Sequence, residues 1–105
     1  MEDEFQNLDK KKRTRTEVIY DILKTIRDKG GKMKPTHLMY KANLSHQSMK
    51  SYLSQLIEKG LIKKKKSDIN TSGKDQKFLL ERTDKGIDFC AGYSKTIEFE
   101  RTFGI

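Results

Sequence analysis

The chain has 105 residues, room for one compact domain plus a tail or an extra element. Only 33% are hydrophobic against 36% charged, and the formal net charge is +8, so the core is small and the surface field attracts polyanions, of which nucleic acid is the commonest. No apolar run approaches the ~20 residues of a membrane span, the opening MEDEFQNL is not a signal peptide, and the lone Cys90 excludes a disulfide framework and points to a reducing cytoplasm.

Residues 1–13 begin acidic with Glu2, Asp3 and Glu4 and turn basic at Lys10, Lys11, Lys12 and Arg13, followed by Arg15. They read as a flexible charged tail, whose basic end is either an arm that grips phosphates or a solvated terminus with no specific task. Thr14 with Glu17 three residues later predicts a capping box and hence a helix start. Val18, Ile19, Ile22, Leu23 and Ile26 form its inner stripe, Asp21, Lys24, Arg27 and Asp28 face water, and Gly30-Gly31 stops it. Lys32 to Lys34 is too short to predict a strand, and Met33 is expected to pack inward.

Pro35 suits the first turn of a second helix, since its missing N–H costs nothing there. Leu38, Met39 and Ala42 give that helix one buried face, and a tight turn follows at Ala42-Asn43-Leu44. Ser45 is a good N-cap for a third helix of about 45–59, with Met49, Tyr52, Leu53, Leu56 and Ile57 recurring at helical spacing and Gly60 as its left-handed cap. This pattern leaves Ser45, His46, Gln47, Lys50, Ser51 and Ser54 on an open polar face that can both donate and accept hydrogen bonds. A major groove accommodates a helix presented in this way.

Beyond Gly60 the pattern changes to strands. Leu61-Ile62 and the run Lys63, Lys64, Lys65, Lys66 lead into the turn-forming stretch 67–73, and residues 76–82 return as a second strand with Phe78, Leu79 and Leu80. The resulting hairpin is a wing over 63–77, in which Lys63, Lys64, Lys65, Lys66, Lys74 and Lys77 outnumber Asp68 and Asp75. Lysines on an edge also prevent sheet-to-sheet aggregation, but their density beside the polar helix face favours phosphate contact, which orients without choosing sequence.

Thr83 caps a last helix opening with Asp84, at the positive end of its dipole. Ile87, Phe89, Cys90, Ala91, Tyr93 and Ile97 spread around more of its circumference than one packed face needs, and Phe99 and Phe103 extend the patch. A homodimer interface is therefore expected through Phe89, Tyr93, Ile97, Phe99 and Phe103, with Gly86 and Gly92 allowing close backbone approach. The division expected is a tail over 1–13, a DNA-binding domain over 14–83 and a dimerisation helix over 84–105. The fold class is mostly α with a small β-hairpin wing (α+β).

The order helix, helix-turn-helix, basic hairpin, long C-terminal helix is similar to winged helix-turn-helix proteins. Thr36-His37-Leu38-Met39-Tyr40-Lys41-Ala42-Asn43-Leu44-Ser45 resembles a signature of archaeal winged helices, among them small dimeric chromatin proteins and transcriptional regulators. Tyr52-Leu53, Leu56, Gly60-Leu61-Ile62 and Thr83-Asp84-Lys85-Gly86 continue the resemblance, which covers about 15–93. It implies double-stranded DNA as partner and, in the chromatin-type relatives, an antiparallel coiled coil of C-terminal helices; here that helix is shorter, more aromatic and without a sustained heptad.

The leading expectation is a dimeric transcriptional regulator, cytoplasmic and nucleoid-associated. An architectural chromatin protein of low sequence specificity and a protein-interaction winged helix in transcription machinery are the alternatives. His37, His46 and Cys90 lack zinc-finger spacing, Gly30-Gly31 and Gly73 do not form a P-loop, and both histidines lie on outer helix faces without the oriented partner a nucleophile requires. No cofactor, metal, small-molecule ligand or enzymatic activity is expected.

Overall fold

A computed structural model describes residues 13–66 and 78–105. The elements are α1 (Arg15–Asp28), β1 (Lys32–Met33), α2 (Pro35–Lys41), α3 (His46–Glu58), β2 (Ile62–Lys66), β3 (Phe78–Arg82) and α4 (Asp84–Phe103). The three strands form one antiparallel sheet in the order β1-β3-β2. The fold is a winged helix with a long C-terminal helix, as the pattern of elements predicts. Residues 1–12, with Lys10, Lys11 and Lys12, the loop over 67–73, Lys74, Lys77 and the start of the second strand at Gln76 lie outside the described residues.

Local chemistry sets the helix ends. Thr14 accepts from the Glu17 amide at 3.1 Å and its own amide donates to the Glu17 carboxylate at 3.0 Å, completing the capping box. Ser45 accepts from the Ser48 amide at 3.1 Å, and Thr83 from that of Gly86 at 3.1 Å. Each helix ends with a paired return of two amides to its last-turn carbonyls. For α1 these are Gly30 to Arg27 and Gly31 to Ile26, and for α3 Gly60 to Ile57 and Leu61 to Leu56. In α2 the left-handed position falls on Asn43, φ 57°, the one non-glycine with positive φ among the described residues. Its amide and that of Leu44 return to Tyr40 and Met39, so the turn of the helix-turn-helix is itself a helix cap.

The core holds Val18, Ile19, Ile22, Leu23 and Ile26 of α1, Leu38 and Ala42 of α2, Met49 and Leu56 of α3, Leu61, and Met33, Ile62 and Leu80 of the sheet, with Cys90 of α4. Met39, Tyr52, Leu53 and Ile57 pack against it while partly exposed. The sheet has a third strand because Lys32 pairs with Glu81 and Met33 with Leu80, which buries Met33 as expected. Arg13, placed by its charge at the end of the tail, is instead part of the domain. Its guanidinium donates to Asp21 Oδ2 at 2.7 Å and to the carbonyls of Ala42 and Asn43 at 3.0 and 3.2 Å. Asp21, expected to face water, is thus ion-paired, and α1 is pinned to the helix-turn-helix turn.

α4 starts where α3 ends. Thr83 Oγ1 donates to the Gly60 carbonyl at 2.6 Å, and Lys85 Nζ to the Lys59 carbonyl at 2.8 Å. A Cβ on Gly86 would lie 2.5 Å from the Leu61 carbonyl oxygen, so this glycine serves contact within the chain and not the approach of a second chain expected for it. Gly92 has open space around its Cβ position. Gly86→Ala is therefore expected to destabilise the fold by about 1–3 kcal/mol, the usual cost of an overpacked site. Gly92→Ala is expected to stabilise it by about 0.5–1 kcal/mol through helix propensity. Denaturant melts of both variants check the pair, and equal melts would remove the close contact at Leu61.

Candidate nucleic-acid interface

The underside of α3 is fixed by Met49 and Leu56, both buried, with Tyr52, Leu53 and Ile57 half-buried beside them. That anchoring turns the opposite side outward, and Ser45, His46, Gln47, Lys50, Ser51 and Ser54 are all exposed. The sequence HQSMKSYLSQLIE carries no acidic residue before Glu58 in its last turn. From His46 to Ser54 the face runs about 12 Å at 1.5 Å per residue, comparable to the ~12 Å width of a major groove. Half of its residues are serines with short hydroxyls, so a duplex edge would approach the helix closely there.

β2 begins just beyond the Gly60 cap, and Lys63, Lys64, Lys65 and Lys66 are all exposed. Opposite residues of an antiparallel pair share a face, and alternate residues along a strand do too. Register therefore divides the lysines. Lys64 and Lys66 share the face of Ile62, Leu80 and Phe78, whereas Lys63 and Lys65 share that of Glu81 and Leu79. Lys64 Nζ lies 4.7 Å above the Phe78 ring, a cation–π contact. Glu81 stands between two strands' cations, with Lys63 at 3.4 Å and Lys32 at 3.9 Å. These exposed pairs add little to stability, but Glu81 offsets part of the lysine field on the outer face.

Two residues flank this surface: Gln55, which sequence reasoning does not identify, and Arg15, which it places only at the end of the basic run after residue 10. Gln55 extends the Gln47–Ser51 stripe by another helical turn and donates to Ser51 Oγ at 3.4 Å. Arg15, in the first turn of α1, donates to Gln55 Oε1. The spacing of Gln47, Ser51 and Gln55 could have drawn attention to Gln55, but nothing local couples it to a residue forty positions earlier.

The residues read as a dimer interface fall into two groups. Phe89, Tyr93 and Ile97 are half-buried on their own chain. Tyr93 packs on Tyr20 with ring centroids 4.8 Å apart and Phe89 stacks on Tyr93 at 6.3 Å. Phe99 and Phe103 are 57% and 65% exposed and touch each other, ring to ring, at 4.8 Å. Every residue from Glu98 to Ile105 is exposed, so the last turns of α4 leave the domain.

The family model for the winged helix-turn-helix matches residues 12–101. The chain belongs to that family. No curated protein matches the sequence of this winged-helix chain. Among solved structures, Sso10a-2, a DNA-binding protein from Sulfolobus solfataricus, is similar with TM-score 0.68 and 23% identity over 87% of this chain and 85% of that one. The PcaV transcriptional regulator from Streptomyces coelicolor gives 0.69 and 16% over 89% and 63%. A MarR mutant from E. coli, complexed with operator DNA, gives 0.60 and 19% over 70% and 49%. At these identities the likeness is one of fold, and the winged-helix chain spans less than two thirds of the PcaV and MarR chains.

Among the described residues no group of three or more His, Cys, Asp or Glu is placed to hold a metal ion, and no helix is long and apolar enough to cross a membrane. Cys90 is buried, and that burial pushes its thiol above the usual value of 9.0, with the charges of Arg82 and Arg27 opposing the shift. A raised folded pKa stabilises the protein below the unfolded pKa, and that contribution fades as pH rises through the folded value. Cys90 is thus expected to react slowly with a thiol reagent at neutral pH and rapidly after unfolding. Rapid labelling of the native chain would contradict its burial.

Proposed function

We propose that this chain is a double-stranded DNA-binding transcriptional regulator that acts as a homodimer. In this reading α3 enters the major groove with Gln47 toward adenine and Lys50 toward guanine, assisted by Ser45, His46, Ser51 and Ser54. Lys63 to Lys66, with Lys74 and Lys77, would lie along the flanking backbone. The observation that carries it is the exposure of six polar residues on one face of a helix whose opposite side is locked into the core, next to a four-lysine strand. Sso10a-2 is described as a DNA-binding protein and PcaV as a transcriptional regulator, in agreement with this reading.

The exposed distal part of α4 supports dimerisation, since Phe99, Phe103 and Ile105 each leave more than half of their surface open among the described residues. Residues 14–83 are then the DNA-binding unit and 84–105 the dimerisation helix, with the proximal half of that helix also part of the core. Such a dimer would be cytoplasmic and nucleoid-associated. The short serine side chains on the reading face also favour a second reading, an architectural protein with little sequence choice. Competition between a selected operator and bulk DNA separates the two, because specific binders gain ~10³-fold or more.

Gln47→Ala should relax preference at one base position, at a cost of about 1–3 kcal/mol for the preferred sequence. Lys65→Ala should weaken all duplexes alike with a salt slope shallower by about 0.9, while Glu81→Gln should tighten them. Anisotropy titrations over a salt series measure all three, and unaltered binding after substitution of both Gln47 and Lys50 would refute the groove assignment. In sedimentation, the native chain should be a dimer at micromolar concentration, and Phe99→Glu with Phe103→Glu should yield monomers with weakened DNA binding. A monomeric native chain would overturn the dimer.

A further inference from the structure

Between the first turn of α1 and the flank of α3 lies a groove of about 360 Å³, lined by Arg15, by Ser45, Ser48 and Ser51, by Gln47 and Gln55, and by Tyr52. Among the described residues no carboxylate lines it. We propose that this groove receives one backbone phosphate of the DNA strand beside α3, with Arg15 as the phosphate ligand and Gln55 as the residue that positions it. The proposal rests on the DNA-binding reading and adds a contact on the flank of α3 that faces the start of α1.

Three observations carry it. First, the guanidinium of Arg15 keeps its full charge for a ligand. Gln55, its hydrogen-bond partner, is neutral, and among the described residues no carboxylate pairs with Arg15, whereas the guanidinium of Arg13 is matched by Asp21. Gln55 engages a single guanidinium nitrogen, Nη2, and a guanidinium has five N–H donors in a rigid fork that suits phosphate oxygens.

Second, the turn that carries Arg15 is held in place and its guanidinium is directed along the α3 flank. The capping box of Thr14 and Glu17 fixes this turn, and Arg13 ties it to the carbonyls of Ala42 and Asn43. Gln55 is held in turn, its Oε1 accepting from Arg15 and its Nε2 donating to Ser51 Oγ, so both ends of the amide are committed.

Third, the groove is continuous with the reading face. Gln47 and Ser51 belong to both, so a base edge met by α3 brings the adjoining strand toward Arg15. A free anion would have no such reason to bind here. A strand held over α3 would.

The test uses the full chain and a fluorescent duplex in anisotropy titrations over a salt series. Arg15→Ala should weaken binding about five- to tenfold on every duplex and make the salt slope shallower by about 0.9. Arg15→Lys should restore the slope but not all the affinity, because the charge returns without the fork. Gln55→Ala should cost about two- to fivefold and leave the slope unchanged, as expected for the loss of a positioning hydrogen bond. A scan of single methylphosphonates along the strand provides a readout independent of variant stability: one neutralised phosphate should weaken the native chain and leave Arg15→Ala indifferent. If the native chain binds duplex and Arg15→Ala matches it in affinity, slope and methylphosphonate profile, the groove assignment is overturned and the DNA-binding reading stands. If the native chain retards no duplex at low salt, both are lost.

Discussion

The structure depends on the joint where α3 stops and α4 begins. One threonine does three things there: Thr83 caps α4 through Gly86, donates from its hydroxyl to the Gly60 carbonyl, and sends its amide to the Leu61 carbonyl. Lys85 reaches back to the Lys59 carbonyl, placing a cation at the negative end of the α3 dipole. Gly86 removes the side chain that would prevent the two segments from meeting. The carbonyls of Lys59, Gly60 and Leu61, just past the end of α3, are thus satisfied by the start of another helix, where water would otherwise have to serve. The direction of α3 is consequently tied to that of α4, and the polar face of α3 has a fixed orientation relative to the rest of the chain.

A second constraint is the distribution of charge around a small core. With fourteen buried hydrophobic residues and no buried polar or charged side chain among the described residues, nearly all of the net charge is carried on the surface. β2 concentrates four lysines in consecutive positions, which repel one another. The strand tolerates this because Ile62 anchors its start in the core, Phe78 offers a ring to Lys64, and Glu81 stands beside Lys63. These compensations are weak and exposed, as suits a surface whose field is left available to a polyanion.

The parts of this fold legible in the sequence are those determined within a few residues. Thr14 with Glu17, Ser45, Gly60 and Thr83 mark helix ends because capping is local chemistry, and the apolar stripes of α1 and α3 follow from helical period alone. Asn43 was legible as a turn, and its left-handed backbone agrees with the tolerance of asparagine for that region. What sequence reasoning did not reach is non-local. Arg13 binds carbonyls about thirty residues away, Arg15 meets Gln55, Lys85 meets Lys59, and Met33 finds Leu80 across the sheet. Gly86 is the instructive case: its lack of a side chain was correctly taken to mean close approach, but the approaching backbone is that of Leu61 in the same chain. At the site, the exposed face of α3 followed from the position of its buried stripe, whereas its flank required knowing where α1 begins.

α4 then has two halves under different constraints. Its proximal half is part of the domain, with Gly86 and Cys90 buried and Tyr93 against Tyr20, and Tyr20 Oη lies 3.2 Å from Ser94 Oγ. Its distal half, from Glu98 onward, carries Phe99 and Phe103 into solvent, with Gly104 and Ile105 closing the helix by returning to Arg101 and Glu100. A second copy covering those rings would hold α4, and α4 is already bound through Thr83 and Lys85 to the end of α3. Such a dimer would therefore set the separation and tilt of two α3 helices without a flexible linker between the interface and their polar faces. Loosening the joint at Thr83 would let the two copies associate while leaving their α3 helices out of register, a failure distinct from losing either the dimer or the DNA contacts.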